Sequence, residues 1–239
     1  MPNSLTYKLL EACREPGCPI CRVEQQGVER YLDNQFYENV NSPAWRDQLR
    51  ASQGFCHEHA WLGVNKRLGD ALGYSIIYHD IVNSLLRSLN EEPRPARTPG
   101  RRASILGQGS ESLRKRVEGV LALLTPRKPC PACAHRDEVT RDLLSVLAED
   151  LSTAEVQEAL EASDGLCLPH LRLVLGSVND ESAYETLLMI QRGKLEGLKH
   201  ELAEFIRKND YQAIKEGFGS EGDAWLRAIA MIIGGRMER

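Results

Sequence analysis

Apolar residues recur at helical spacing along most of the chain, and no stretch alternates convincingly with a period of two. Between Tyr74 and Leu89 the apolar positions form a broad stripe that is typical of a helix packed on one side. Between Leu188 and Phe205 apolar residues recur in steps of three and four, as in a coiled-coil seam, with Gln191 as a polar interruption. The pattern therefore predicts an all-α protein.

Proline and capping residues locate the N-termini of the predicted helices. Pro19 and Pro131 suit the first position of a helix, where the N–H group would be unpaired in any case. Ser42-Pro43 and the capping box Ser152–Glu155 mark two further starts, and Asp223 is a natural N-cap for a last helix. The clearest predicted helices are Pro19–Tyr37, Tyr74–Leu89, Ser112–Leu124, Pro131–Leu147, Tyr184–Lys208 and Ala224–Ile233.

Two sequence motifs each occur twice. Cys-Pro-x-Cys is found at 18–21 and again at 130–133, and Gly-apolar-Cys-x-x-His is found at 54–59 and again at 165–170. Between the second cysteine of the first motif and the cysteine of the second motif there are 34 residues in the first half and 33 in the second. This duplication predicts two tandem helical repeat units, each built around a Cys3His metal site. The expected domains are a first unit at 1–90, a Pro/Arg-rich linker at 91–110, a second unit at 111–209, and a Gly-rich segment with a C-terminal docking helix at 210–239.

The residue types in these motifs point to metal binding. A Cys-x-x-Cys pair at a helix start puts two sulfurs on one turn, where free backbone N–H groups favour thiolates. Cys-x-x-His adds a third sulfur and an imidazole, and this set fits a closed tetrahedral zinc site. The 33 or 34 intervening residues suffice for two antiparallel helices that return the second pair to the first. We therefore expect two zinc ions, with ligands grouped within each half, although the motifs also leave open a grouping across the two halves. The expected ligands are Cys18, Cys21, Cys56 and His59 in one site and Cys130, Cys133, Cys167 and His170 in the other.

Comparison of the two halves separates ligands from bystanders. His57 corresponds to Leu168 in the other half, and His135 corresponds to Val23, so neither is expected to be a ligand. Cys13 corresponds to Thr125 and is interpreted as a free, packed thiol.

An iron–sulfur protein is the main alternative. Three cysteines and one histidine can hold a [4Fe–4S] cluster, and two clusters would serve electron transfer or redox sensing. The spacing matches no ferredoxin pattern, and each set is closed by histidine, so zinc is favoured. A redox dithiol would require a βαβ context, which the pattern lacks.

The motifs resemble those of an uncharacterised prokaryotic family of cytoplasmic proteins. The resemblance rests on the duplicated Cys-Pro-x-Cys and Cys-x-x-His motifs and on the tail phrases Glu201–Lys208 and Glu221–Ile229. It covers nearly the whole chain and implies metal binding without an established activity.

Composition and charge bear on the class of partner, the location and the presence of enzymatic activity. A net charge of −4 gives no global field that attracts nucleic acid or anionic lipid, so a nucleic-acid partner is disfavoured. No apolar stretch approaches the length of a membrane span, and the N-terminus does not read as a signal peptide, so a cytoplasmic location is expected. Because four protein ligands leave no open metal position, we favour an interaction with a protein partner, or a homodimer, over enzymatic activity. A metal-dependent enzyme would draw on His57, Glu58, Glu221 and Asp223.

Overall fold

The computed structural model describes residues 4–90, 108–211 and 213–235. Within these residues there are eleven α-helices, two short 3-10 helices and no strand, which confirms the all-α prediction. None of the helices in the described ranges is both long and apolar enough to cross a membrane. Most of the predicted linker, residues 91–107, lies outside the described residues.

The α-helices are numbered in chain order. They are α1 (Ser4–Cys13), α2 (Pro19–Glu38), α3 (Pro43–Ser52), α4 (His57–Asn65), α5 (Ala71–Asn90), α6 (Gln108–Leu124), α7 (Pro131–Asp150), α8 (Ala154–Ala162), α9 (Leu168–Ser177), α10 (Glu181–Lys208) and α11 (Ala224–Ile233).

Several predicted helix starts are confirmed. Pro19 and Pro131 are the first residues of α2 and α7, and Ser42 is the N-cap of α3 with Pro43 in its first turn. The side-chain caps expected from the capping box at Ser152–Glu155 and from Asp223 do not form. Thr153 donates its hydroxyl to the carbonyl of Asp150 instead of accepting from α8, and Asp223 is engaged by Arg227. Both side chains are bonded to another local partner in place of the helix amides.

The chain divides into two compact units that do not follow the predicted tandem order. Unit 1 comprises the described residues of 1–28 and 136–239, and unit 2 comprises those of 29–135. The boundaries fall inside α2 and α7, so each of these helices contributes residues to both units. The expected units at 1–90 and 111–209 are therefore interleaved rather than consecutive.

Unequal helix lengths explain this difference. The twenty residues of α2 extend about 30 Å, whereas the ten residues of α3 return over only about 15 Å. The same imbalance separates α7, with twenty residues, from α8, with nine. Two antiparallel helices were expected to return the chain to the start of the long helix within each half. Because the second helix is too short, the chain does not come back to that point.

The core of unit 1 is aliphatic. The side chains of Leu143 and Leu147 on α7, and of Leu151 directly after its end, are fully buried at a spacing of four residues. Burial of each such leucine stabilises the fold by about 1.5–3 kcal/mol. They pack with buried residues of α1, α2, α8, α9 and α10, namely Leu9, Ile20, Val23, Val156, Leu160, Val174 and Leu187. The segments of both halves are thus joined in one continuous core.

The core of unit 2 is aromatic. Phe36 of α2 stacks on Tyr74 of α5 at 4.1 Å between ring centroids and meets Trp45 of α3 edge-on at 5.7 Å. Phe55, which precedes α4, completes the group 5.9 Å from Phe36. Ile77 and Ile81, predicted as part of the apolar stripe of α5, are both buried. This core holds the loop that carries Cys56 in place.

The C-terminal helix α11 docks within unit 1. Ala224 and Met231 of α11 are buried against Leu198 of α10, with Leu202 and Ala228 at the edge of the contact. The predicted seam on α10 is therefore covered in part by the tail of the same chain. Gln191, expected to face a partner helix, points instead into the unit, as described below.

Candidate metal centres

The eight predicted ligands assemble into two clusters, but with exchanged partners. Among the described residues, the ligand atoms of two groups lie within 4.8 Å of one another. Cluster 1, in unit 1, contains Cys18, Cys21, Cys167 and His170, and cluster 2, in unit 2, contains Cys56, His59, Cys130 and Cys133. Each Cys-Pro-x-Cys motif thus meets the Cys-x-x-His motif of the other half. The prediction that the ligands group within each half is wrong, because the unequal helices carry the second motif away from the first.

The spacing in cluster 1 is that of ligands around one small ion. The Nδ1 atom of His170 lies 3.5, 3.3 and 3.2 Å from the Sγ atoms of Cys18, Cys21 and Cys167. The sulfurs of Cys21 and Cys167 are 3.7 Å apart. For a tetrahedral zinc ion the ordinary bond lengths place two sulfurs about 3.8 Å apart and sulfur and nitrogen about 3.5 Å apart. A tetrahedral ion therefore fits the donor set without rearrangement.

Cluster 2 has the same dimensions. The Nδ1 atom of His59 lies 3.3 Å from Cys56, 3.7 Å from Cys130 and 3.3 Å from Cys133. The Sγ atoms of Cys56 and Cys133 are 3.6 Å apart. Both clusters thus present three sulfurs and one imidazole nitrogen at tetrahedral spacing.

The local fold that presents these ligands is repeated four times. The carbonyl of the first cysteine in each motif accepts the first hydrogen bond of the following helix. The donors are Arg22 to Cys18, Ala60 to Cys56, Ala134 to Cys130 and Leu171 to Cys167, at 2.8–3.2 Å. Each cysteine therefore sits at a helix start, as predicted, with its side chain beside the free N–H groups of the first turn.

The turns before Cys56 and Cys167 are held by side chains from the next long helix of their units. Gln191 of α10, 3% exposed, accepts from the N–H of Leu166 at 3.1 Å and donates to its carbonyl at 2.9 Å. In unit 2 the N–H of Phe55 is bonded to the hydroxyl of Tyr78. The sequence showed Gln191 as a polar residue in an apolar seam, but it did not indicate that this side chain bonds to the backbone of Leu166.

We expect replacement of Gln191 by leucine to destabilise unit 1. The substitution keeps the volume but leaves two buried backbone groups of Leu166 unpaired, at about 1–3 kcal/mol each. Chemical denaturation of the metal-loaded protein would measure the loss. Arg192→Leu, one residue further along at an exposed position, is the matched control and should change stability by less than about 0.5 kcal/mol. Equal effects of the two substitutions would contradict the bracing role.

Glu24 supports the histidine of cluster 1 from behind. Its carboxylate lies 3.0 Å from the Nε2 atom of His170 and also accepts from the hydroxyl of Thr140. Such a bond fixes the tautomer in which Nε2 carries the proton and Nδ1 is free to bind a metal. The sequence signal was only an acidic residue three positions after Cys21. The corresponding position in the other half is Arg136, which cannot accept a hydrogen bond.

Replacement of Glu24 by alanine should weaken metal binding at cluster 1. Loss of a carboxylate behind a metal-binding histidine typically lowers affinity by about 10–100-fold. Competition with a chromophoric chelator would show one of two ions released at lower chelator concentration. Glu158→Ala removes an exposed carboxylate of α8 in the same unit and should leave both affinities unchanged. Equal affinities for the Glu24 and Glu158 variants would contradict the role assigned to Glu24.

Crowding of the sulfurs shifts their protonation. Hydrogen bonds from the thiols of Cys167 and Cys21 lower the pKa of Cys18, whereas bonding to Cys167 and Cys18 raises the pKa of Cys21. In cluster 2, burial and the neighbouring Cys56 raise the pKa of Cys133 to about 12. Hydrogen bonding therefore favours the thiolate at Cys18 and the thiol at Cys21, and burial favours the thiol at Cys133. A cation bound among the sulfurs would favour the thiolates and release the protons.

The bystanders identified in the sequence lie outside both clusters. His57 is exposed, and His135 stacks on Tyr31 at 4.7 Å between ring centroids. Cys13 is buried, and burial together with the nearby Cys18 raises its pKa to about 12, so that it stays a neutral thiol. Neither the histidines nor this cysteine join a ligand group within the described parts of the chain.

The acidic residues of the tail are engaged in ion pairs. Glu221, 7% exposed, accepts from Lys208 at 2.6 Å and from the N–H of Gly219 at 2.9 Å. Asp223 accepts from Arg227 at 2.8 Å. These contacts fix the connection between α10 and α11, and they occupy two of the carboxylates on which a metal-dependent enzyme would have depended.

A pocket of about 550 Å³ borders cluster 1. It is lined by the loops that carry Cys18 and Cys167, by Gly193 and Gly197 of α10, and by Arg227 of α11. The two cysteines are nevertheless only 6% and 1% exposed. The pocket therefore reaches the edge of the ligand loops without opening the sulfurs of Cys18 and Cys167 to solvent.

The fold and these two centres define a class: an all-α protein with two Cys3His clusters that could each hold a metal ion. The chain belongs to a family of unknown function (DUF6062), whose model matches residues 5–239. It is 24% identical over 232 residues to an uncharacterized 23.9 kDa protein in the xynA 3'region of Caldicellulosiruptor sp. (strain Rt8B.4). That match covers 95% of this chain and 99% of the relative. No solved structure matches the chain.

Proposed function

We propose that the protein binds two zinc ions as structural centres and acts through its surface on a protein partner. The observation that carries the metal proposal is the tetrahedral spacing of three sulfurs and one Nδ1 atom in each cluster. All four positions of each ion would be filled by the protein, which is the pattern of structural rather than catalytic zinc. A cytoplasmic location, where thiols remain reduced, is part of the proposal.

The spacing also bears on the iron–sulfur alternative. A [4Fe–4S] cluster places its four protein ligands on four separate iron atoms, so the ligands stand further apart than around a single ion. The ligand atoms here lie within 4.8 Å of one another. Zinc is therefore the better supported occupant, and two iron–sulfur clusters remain the second candidate because the donor set itself suits both.

Metal analysis of protein purified without air tests this proposal. We expect about two zinc ions for each chain and no absorption in the visible range. Iron and sulfide in comparable amounts, with a broad shoulder in the near-visible range, would favour the electron-transfer alternative. A preparation that contains no metal and takes up none from zinc solution would refute both.

The proposed interaction surface is the outer face of α11. Trp225, Leu226, Ile229, Ile232 and Ile233 are each 39–70% exposed and recur on the side of the helix opposite its docked face. A run of large exposed apolar residues on one helix is a feature of protein-binding surfaces. The partner is proposed to be another protein or a second copy of the chain.

Sedimentation of the metal-loaded protein distinguishes these two partners. A homodimer formed through α11 should dissociate when Ile229 is changed to aspartate. Tyr37→Asp, at another highly exposed position, serves as control and should not change the mass. A monomeric wild-type protein would exclude the homodimer and leave a different protein as the proposed partner.

A further inference from the structure

The two residues that follow α11 run directly past cluster 1. The backbone N–H of Gly235 lies 3.3 Å from the sulfur of Cys21 and points toward it. The N–H of Gly234 is bonded to the carbonyl of Ala230 at 2.9 Å, so the segment continues from the end of the helix in a defined direction. We call Gly234–Gly235 the C-terminal strap.

The position of the strap requires glycine. A side-chain carbon at Gly234 would lie 3.3 Å from the sulfur of Cys167 and 3.5 Å from that of Cys21. The φ angles of Gly234 and Gly235, +80° and +104°, also lie in the region that other residues rarely adopt. The strap therefore depends on glycine at position 234, where a side-chain carbon would crowd two ligand sulfurs, while the backbone N–H of Gly235 contacts Cys21.

The strap is anchored by the same residues that shape the cluster. Ala230 and Met231, just before it, are buried in unit 1. The sulfur of Met231 accepts from the Nε2 atom of Gln191 at 3.2 Å, and Gln191 in turn holds the backbone of Leu166 next to Cys167. The docked α11 thus fixes the position of the strap relative to the ligands of cluster 1.

We propose that the C-terminal strap covers the metal of cluster 1 and positions the Cys21 thiolate, so that this ion is retained longer than without it. This inference rests on the proposed metal binding. The hydrogen bond from the N–H of Gly235 would hold the Cys21 sulfur in its place as a ligand and oppose its movement away from the ion. The close backbone also hinders water and competing ligands from reaching the Cys21–Cys167 edge. Because the strap belongs to unit 1, the effect is specific to cluster 1.

Two matched pairs of variants test the strap in the full chain. Gly234→Ala adds a carbon against the two sulfurs, whereas Gly217→Ala adds one at a similar φ of +70° with no neighbour within 4 Å. Gly235→Pro removes the N–H donor, whereas Gly235→Ala keeps it at a site where the added carbon meets nothing within 4 Å. In the first pair both members carry similar backbone strain, so a difference between them reports on the contact with cluster 1. In the second pair proline, whose φ is fixed near about −65°, removes both the donor and the path of the backbone, so it tests the strap as a whole.

The readout is ¹¹³Cd NMR of the cadmium-loaded protein together with transfer of zinc to a chromophoric chelator. We expect two cadmium resonances, of which only the one abolished by Cys21→Ser moves in Gly234→Ala and Gly235→Pro. One of the two zinc ions should then leave about tenfold or more faster, while Gly217→Ala and Gly235→Ala match the wild type. Unchanged resonances and release rates, or equal changes at both sites, would overturn the role of the strap. A wild-type chain that loads no metal would instead refute the proposed function itself.

Discussion

Replacing Cys21 and Cys167 together should remove one metal ion and leave the other, whereas replacing Cys21 and Cys56 together should remove both. The first pair belongs to cluster 1, although its members are 146 residues apart in sequence. The second pair belongs to one half of the sequence but to two clusters. Loss of one thiolate of four ligands leaves an incomplete site, so each affected ion should be lost on desalting. Elemental analysis of the serine variants gives the number of ions per chain.

The two double variants carry the same number of substitutions and so control for one another. Cys13→Ser is a further control and should retain both ions, because Cys13 lies in neither cluster. If the ligands grouped within each half instead, the results would be exchanged: Cys21 with Cys56 would leave one ion, and Cys21 with Cys167 would leave none. The experiment therefore decides between the two pairings directly.

Chelation of the metal should unfold much of the helical structure. Binding energies of structural zinc are about 10–16 kcal/mol at neutral pH, which is comparable to the whole stability of an ordinary domain of about 5–15 kcal/mol. Cluster 1 joins α2 to α9 and cluster 2 joins α4 to α7, so each unit loses a tie between distant segments when its ion leaves. Circular dichroism during titration with a chelator measures the loss of helix.

Comparison of cysteine variants locates this effect. Cys56→Ser should lower the thermal stability of unit 2 strongly, whereas Cys13→Ser exchanges a buried neutral thiol for a hydroxyl and should cost far less. Readdition of zinc should restore the helical signal of the wild type. Full helix content after complete removal of metal would show that the cores alone hold the units.

The sequence was informative wherever a single turn of chain decides the outcome. Proline at positions 19, 43 and 131 located three helix starts, and the duplicated motifs identified all eight residues that form the clusters. His57 and His135, which comparison of the halves did not predict as ligands, lie in neither cluster. These features depend on local stereochemistry, which is determined by the few residues of a short motif.

The exchange of partners could not be read from the motifs, because nothing in Cys-Pro-x-Cys specifies which Cys-x-x-His it will meet. The one available signal was the unequal length of the predicted helices between them. The contacts of Glu24, Gln191 and Gly235 were also missed, since each joins residues more than twenty positions apart. Such contacts exist only once the packing of distant helices is known.

The exchanged pairing has a consequence for biosynthesis. The first four ligands to leave the ribosome are Cys18, Cys21, Cys56 and His59, which end in different clusters. At about 5–20 residues per second, the Cys18–Cys21 pair waits about 8–30 s for His170, 149 residues beyond Cys21. During that interval the nascent chain offers a complete but incorrect set of three thiols and an imidazole. Metal that arrives early can be captured by this set, so correct loading requires either late delivery of the ion or ligand exchange after synthesis.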